Sequence, residues 1–218
     1  MPLFWIAPPF HPKRLYHAKI IITTEKHGTM LIMDIVRRVN DNMIPKRLSR
    51  EVIYENEWVS LYTDKVEFPS GYILDKYHFV HFDYESVAIV VQNEKDEVLL
   101  IKSNRYITQS EEWEIPAGRV DNEELSITAA AREVLEETGY VITEPQLIYK
   151  YNPMNGVTNK VIAVYKANAI QKSRQFDTVE VMDVQWVSKD NVTEMLRKNE
   201  IRCGLSLTGL MMVLFCGL

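Results

Sequence analysis

The sequence predicts an α/β sandwich preceded by a small β-meander, and three observations carry that prediction. Short β-rich runs interleave with two or three helical segments. Residues 125–138 form one sharply amphipathic helix, and residues 51–82 read as strands before any strong helical period begins. At 218 residues the chain is long enough to bury a core without staples, as one domain with an appendage. Hydrophobic residues at 46% and charged residues at 25% exclude extended disorder, collagen and a disulfide scaffold.

The elements follow in order. Residues 1–42 look irregular, with a short helix expected over 30–39, and 40–45 reads as a linker because Asn, Asp and Pro fall together. A start at Met33 or Met43 is a hypothesis that N-terminal sequencing of native protein would test. VIYENEWVSLYTDKVEF, the turn Pro69-Ser70-Gly71 and YILDKYHFVHF make the meander. SVAIVVQNEKDEVLLIKSNRY is two apolar strands around Asn93-Glu94-Lys95-Asp96, a hairpin. After Trp113-Glu114-Ile115-Pro116-Ala117-Gly118 the period becomes helical. Ile127, Ala130, Ala131, Val134 and Thr138 share one stripe at steps of three and four, and Gly139 is placed to close the helix. QLIYKYNP, VIAVYKANAI and VEVMDVQWV supply three more strands, and residues 192–199 and 207–215 the C-terminal helices.

The net charge of −5 hides an asymmetry: residues 1–50 hold nine Lys/Arg against three Asp/Glu, and the remainder holds 16 against 27. An acidic body disfavours long nucleic acid as substrate and suits a site that gathers divalent cations. The basic stretch is either a solvated appendage or a contact for RNA or membrane, and its scattered charges favour the first. The apolar run over 205–218 is broken by Ser206, Thr208, Gly209 and Gly217 and falls short of the roughly 20 residues of a membrane span. The N-terminus lacks a basic n-region and carries Pro8-Pro9, so no targeting segment is expected. Cys203 and Cys216 are too few for a zinc site and are expected as reduced core residues of a cytoplasmic protein, with Met211, Met212 and Phe215 in the same core. His78 and His81, three apart on a strand, face opposite sides and cannot share a metal there.

The helix over 125–138 has a second face. Glu133, Glu136 and Glu137 stand at i, i+3 and i+4, within roughly a 100° arc. Like charges at that spacing repel. The patch is either a solvated acidic face or one neutralised by a multivalent cation, and hard carboxylate oxygens would select Mg²⁺ or Mn²⁺ over zinc. The acidic face alone favours the solvated reading, and the wider spacing reverses that preference. Gly118, five residues, Glu124, seven residues, Arg132-Glu133-Val134, one residue, Glu136-Glu137, one residue, Gly139 is the Nudix box, GX5EX7REUXEEXGU, with Tyr140 at the bulky aliphatic position as a mild departure. Over residues 45–215 the chain resembles the Nudix hydrolases.

That resemblance implies a Nudix α/β/α sandwich with a mixed sheet over 84–218. It also implies a small β region for dimerisation and substrate contact over 45–83, behind an N-terminal extension over 1–44. It implies Mg²⁺ (or Mn²⁺) held by Glu133, Glu136, Glu137, Glu180 and the backbone carbonyl of Ala117, bridging a pyrophosphate. Arg132 either orients these carboxylates or forms an intrahelical ion pair. Gly118 lets backbone approach phosphate oxygens, and Glu124 caps the helix or hydrogen-bonds nearby.

The flanking residues resemble one subfamily. WEIPAGRVDNEE is similar to the corresponding stretch of ADP-ribose and nucleotide-sugar pyrophosphatases, and Arg105-Tyr106 resembles their tyrosine–arginine signature. On that likeness Trp58 stacks a nucleobase, with Tyr77 as the opposite slice, or is a core or interface aromatic. Arg105 holds a phosphate or the terminal ribose, or pairs with a local acid, and Glu114 hydrogen-bonds base or sugar. The implied reaction is Mg²⁺-dependent hydrolysis of the pyrophosphate bond of a nucleoside diphosphate sugar such as ADP-ribose, giving a nucleoside monophosphate and a sugar phosphate. A cytoplasmic homodimer acting on a small nucleotide, with no membrane or nucleic-acid partner, is implied as well.

Departures lie downstream. Asn159-Lys160 stand where this subfamily often has a carboxylate, so Lys160 selects a different sugar or an extra phosphate. The acidic loop reads Arg174-Gln175-Phe176-Asp177-Thr178-Val179-Glu180, with Glu180 at the ligand position and Asp177 as substitute for the second acid, which leaves the general base open. Two other readings are a Nudix enzyme for nucleoside triphosphates or dinucleoside polyphosphates, and a nucleotide-sugar sensor without turnover. The intact box speaks against the sensor.

Overall fold

The computed structural model describes residues 16–22, 31–37 and 44–218. The chain divides into two compact units, one running up to Glu55 and including 61–79, the other made of 56–60 and 80–218. In the first, β1 (Tyr16–Ile22) and β2 (Leu31–Arg37) pair antiparallel, Tyr16 opposite Arg37 and Ile22 opposite Leu31. The short helix expected over 30–39 is therefore replaced by a strand. LIMDIVR is rich in β-branched residues, and its pairing with the Ile20-Ile21-Ile22 run overrides a weak helical period. Most of the linker expected over 40–45 lies outside the described residues, as do His11 and His27.

The meander forms as β3 (Lys46–Glu55), β4 (Ser60–Glu67) and β5 (Ile73–His81), an antiparallel sheet in that order. Gly71, at φ 82°, makes the turn between the last two. In the middle strand, Asp64 is buried and takes both prongs of the Arg50 guanidinium at 2.8 and 2.9 Å. The guanidinium lies 4.6 Å from the Tyr62 ring centroid and 4.9 Å from that of Phe79. The Arg50 fork thereby holds the Asp64 carboxyl below the usual carboxylate range. On the outer strand β3 every residue is exposed, Leu48, Val52, Ile53 and Tyr54 included.

The larger unit comprises β6 (Ser86–Gln92), β7 (Glu97–Arg105), β8 (Ser110–Glu114), β9 (Ala117–Arg119), α1 (Ser126–Thr138), β10 (Tyr140–Ile142), β11 (Gln146–Tyr151), β12 (Ile162–Lys172), β13 (Val181–Ser188), α2 (Lys189–Arg197) and α3 (Gly204–Phe215). Its mixed sheet runs β10-β12-β6-β7-β13, with β12 parallel to β6 and the other pairings antiparallel. Val87, Ile89 and Val91 pack with Ala163 and Tyr165 against Ala129, Ala130 and Val134 of α1. Their alternates Ala88 and Val90 pack with Ile162 and Val164 against Val192 of α2 and Leu210 of α3. The period of two thus produces an α/β/α sandwich, and each fully buried Val, Ile or Leu contributes roughly 1.5–3 kcal/mol.

One irregularity positions the site. The β6–β7 hairpin is paired at its turn, Gln92 opposite Val98, where Asn93 Oδ1 accepts the backbone N–H groups of Lys95 and Glu97. Farther out each arm takes another partner. β7 pairs with β8 (Ile101 opposite Glu114) and β6 with β9 (Val87 opposite Gly118). The chain from Glu114 to Ala117 therefore crosses between the two arms, and Ile89 N–H donates to the Pro116 carbonyl at 2.9 Å. Ile115, fully buried at the crossing, donates its N–H to Ser206 Oγ of α3 at 3.0 Å. A Cβ on Gly209 would lie 2.8 Å from Ile115 Cδ1, so the glycine lets α3 approach.

The C-terminal expectations need correction. The core takes Ser206, Gly209 and Leu210 from α3, whereas Met211, Phe215 and Cys216 are exposed and Met212 and Cys203 half-buried. The segment is apolar nearly all round, so its period carried no information about which face packs. Among the described residues no helix is long and apolar enough to cross a membrane.

Candidate active site

The helix α1 is fastened at both ends. At its start, Leu125 is extended and no side chain caps the helix. Glu124 instead accepts Asp121 N–H at 3.2 Å and the Arg132 guanidinium at 2.9 and 3.1 Å, so its role is hydrogen bonding and not helix capping. At its end, Gly139 adopts φ 76° and donates to the Leu135 carbonyl at 3.0 Å. A Cβ there would meet the Arg174 carbonyl at 2.1 Å. The loop over 173–180 docks on this helix end: Asp177 N–H donates to the Glu136 carbonyl at 2.9 Å and Ser173 N–H to that of Gly139 at 2.9 Å. Carbonyls that every helix leaves unpaired thereby tie down the loop that carries Glu180.

A cleft of about 550 Å³ opens between α1, β9 and this loop, lined by Trp58, Ala117, Gly118, Arg132, Glu133, Glu136, Glu137 and Glu180. Glu137 is its deepest acid, 9% exposed. Burial, with the neighbouring charges of Glu133 and Glu180 acting the same way, pushes its carboxyl up to about 8, although Ala117 N–H donates to Oε2 at 2.9 Å. Burial also raises Glu133, against the opposing pull of Arg132. Arg132 organises the rest. Nη1 donates to Glu133 at 2.8 Å and Glu136 at 3.0 Å, and Nη2 to the Arg119 carbonyl at 2.9 Å. Arg132 is thus an orienting hub reaching beyond the helix to Glu124 and β9.

Gly118 has a sharper reason than phosphate approach. A Cβ there would lie 2.0 Å from Glu133 Cδ, so the absent side chain is the space that the Glu133 carboxylate fills. Gly118→Ala is expected to leave the fold intact, because the displaced atoms end a side chain, but to turn Glu133 away. Mn²⁺ affinity measured by calorimetry should fall about tenfold or more. Unchanged Mn²⁺ binding would remove Glu133 from the ligand set.

Among the described residues the cleft is lined by carboxylates and by no thiol or imidazole, which suits a hard divalent cation. Among the described residues no three Asp, Glu, His or Cys side chains already form a cage. Glu133 and Glu136 are turned onto Arg132, and Glu137 onto the Ala117 amide.

Other expected residues fall elsewhere. Arg105 and Glu114 bind each other through two 2.6 Å hydrogen bonds, with Glu114 buried. They line a neighbouring cavity of about 820 Å³ that shares Glu180 with the cleft. Glu112, also buried, pairs there with Arg202. Trp58 lines the cleft but is 55% exposed, with the Arg119 guanidinium 4.6 Å from its ring centroid. Tyr77 belongs to the smaller unit. Asp177 accepts Val179 N–H at 2.8 Å and is engaged in its own turn. Asn159 is structural: its amide accepts from Phe82 N–H and donates to the Phe82 carbonyl, both at 2.8 Å. Arg119, Tyr84 and Arg202 gave no sequence signal. Arg119 occupies a variable position inside the box, and Arg202 reaches Glu112 from 90 residues away.

A sandwich with a glycine-bearing strand laid over an acidic helix face defines a class of hydrolase, and the comparisons identify the class. Residues 84–203 match the NUDIX domain, and residues 45–80 match the nucleoside diphosphate sugar hydrolase N-terminal domain. The chain belongs to the Nudix family and is a Nudix hydrolase. Members generally use divalent metal ions and act on small-molecule nucleotides. The chain is 29% identical over 167 residues to the CMP-5'-(N-acetyl-N-hydroxy-3-aminopropyl)phosphonate hydrolase of Streptomyces rubellomurinus, covering 76% of this chain and 80% of that protein. It is 24% identical over 159 residues to the ADP-ribose pyrophosphatase of Bacillus subtilis, covering 72% and 85%. A crystal structure of an ADP compounds hydrolase superimposes with a TM-score of 0.69 at 20% identity, covering 78% of this chain and 91% of that one, so the fold is shared.

Proposed function

We propose that this Nudix hydrolase is a Mg²⁺-dependent pyrophosphatase of nucleoside diphosphate sugars such as ADP-ribose, releasing a nucleoside monophosphate and a sugar phosphate. The observation that carries the reading is the convergence of Glu133, Glu137 and Glu180 on one cleft beside Gly118, with the Ala117 backbone fastened to Glu137. The N-terminal match and the relatives named ADP-ribose pyrophosphatase support the substrate class.

Glu133, Glu136, Glu137, Glu180 and the Ala117 carbonyl would hold the cations. Mg²⁺ held there would supply charge neutralisation at the phosphoryl oxygens and activation of the attacking water. Glu137 must first give up the proton that its burial favours. Arg132 keeps Glu133 and Glu136 oriented, and the space over Gly118 admits the Glu133 carboxylate. Water attacks one phosphorus in line, and the bond from that phosphorus to the bridging oxygen breaks. Trp58 offers a face to the base. The second cavity, which shares Glu180 with the cleft and is lined by Arg105 and Glu114, suits the sugar.

We also read residues 45–83 as a dimerisation and substrate region and the enzyme as a cytoplasmic homodimer. A ten-residue edge strand exposing Leu48, Val52, Ile53 and Tyr54 invites a partner, and free cysteines suit a reducing compartment. Sedimentation velocity should give twice the chain mass, and Val52→Asp should shift it to monomer. A monomeric wild type overturns the dimer.

The substrate test is a parallel assay of ADP-ribose, GDP-mannose, UDP-glucose, dGTP and diadenosine tetraphosphate with Mg²⁺ and product identification. A nucleoside diphosphate sugar should be cleaved with the highest kcat/KM. Preference for dGTP or the tetraphosphate defeats the reading.

A further inference from the structure

Beside the acidic cleft lies a cluster of the opposite sign. Arg119, which lines the cleft, stands 5.3 Å from the Tyr84 ring centroid. Lys160 Nζ stands 3.6 Å from the same centroid and 4.9 Å from that of Phe82. Of its three N–H bonds, one donates to the Tyr84 carbonyl at 3.2 Å. Among the described residues no carboxylate lies within ion-pair distance of Lys160. The nearby Glu85 is occupied by Lys150, which contacts both its oxygens at 3.0 and 3.1 Å. Asp121 holds Arg119 at 3.1 and 3.2 Å but is itself solvent-facing.

Aromatic faces offset only part of the cost of desolvating an ammonium group, and a second cation beside it adds to that cost. Burial and the charge of Arg119 lower the Lys160 ammonium from 10.5 to about 8, with Glu85 acting weakly in the other direction. Two like charges gathered on one ring, one of them lining the cleft, are relieved by an anion. A phosphate oxygen matches both an ammonium and a guanidinium.

We propose that Lys160 and Arg119, gathered on Tyr84, form a phosphate-binding subsite beside the diphosphate cleft, selecting nucleotides that carry a phosphate beyond the scissile pair. This rests on the nucleotide reading of the cleft and narrows its substrate class. The extra phosphate is a monoester on the nucleoside or on the sugar of the nucleoside diphosphate sugar, and its chemistry is the same in each.

The test compares equilibrium binding of matched ligands by calorimetry. Adenosine 2',5'-bisphosphate and adenosine 3',5'-bisphosphate against AMP probe the nucleoside source. Glucose 1,6-bisphosphate against glucose 1-phosphate probes the sugar. In at least one pair the phosphate-rich member should bind wild type about tenfold tighter. That ratio should collapse in Lys160→Met, which keeps the apolar stem, and persist in Lys160→Arg, which keeps the charge. Ratios near one in every pair, or a ratio unmoved by Lys160→Met, overturn the subsite. Turnover of nucleoside diphosphate sugars without any such ratio sinks the subsite alone. A ratio without turnover of any of them sinks the substrate reading and leaves the subsite standing.

Discussion

Replacing Glu137 by Gln is expected to lower kcat at least ~100-fold, since it removes the deepest carboxylate of the cleft, the proposed cation ligand, while keeping its shape. The accompanying stability change separates this from simple misfolding. Glu137 is raised to about 8 in the folded chain, whereas an unfolded Glu titrates near ~4.3. The folded state therefore holds a proton that the unfolded state has lost, and this residue destabilises the cation-free protein increasingly as pH rises from the lower value to the upper. Below that window the substitution should leave Tm unchanged. At pH 8 with chelator, Gln should raise it by about 2 °C or more, corresponding to ~1 kcal/mol. Adding Mg²⁺ should stabilise only the wild type by mass action, with release of a proton visible as a buffer-dependent heat. Undiminished turnover by Glu137→Gln in Mg²⁺ would dismiss the metal assignment.

Arg132→Lys is expected to be nearly as damaging, although the charge is conserved. The guanidinium makes five hydrogen bonds from a planar fork, to Glu124, Glu133, Glu136 and the Arg119 carbonyl. A single ammonium cannot span that set. Activity should fall about 10–100-fold, and folding should lose roughly 1–3 kcal/mol as partly buried carboxylates go unpaired. The pH dependence has the opposite sense to that of Glu137. Arg132 holds Glu124 below its ordinary value, so this pairing stabilises the protein above the unfolded carboxylate range and is lost on acidification. The Tm gap between wild type and Arg132→Lys should hence narrow as pH drops below ~4.3. A gap constant from neutral to acid pH would show that the arginine acts through packing.

What could be read from the chain depended on locality. The helix, its closing glycine and its acidic face lie within one continuous run, so 3.6-residue periodicity and fixed spacing exposed them. The same holds for the hairpin around Asn93, where turn chemistry and apolar runs agree. Short strands such as Ala117–Arg119 escaped because three residues carry no period, and they exist only because the hairpin arms diverge to receive them. The Arg105–Glu114 pairing is only one of two readings open in the sequence, because neither position reveals how the two strands register. Arg119 and Lys160 were hard to assign for a related reason: 41 positions separate them, and one tyrosine ring brings both within reach. The weak helix over 30–39 shows the converse failure, a local preference overruled by strand pairing.

The divergence of the hairpin arms also says where this scaffold tolerates innovation. Because β8 and β9 are each clamped to a different arm, the tip joining β7 to β8 bears none of the geometry that seats Gly118. Tyr106 and Ile107 on that tip are 91% and 92% exposed, yet they rim the second cavity. Lengthening or rewriting those few residues would therefore reshape what that cavity admits while the hydrolytic machinery stayed put, so descendants of one chemistry can diversify by editing a single overhang.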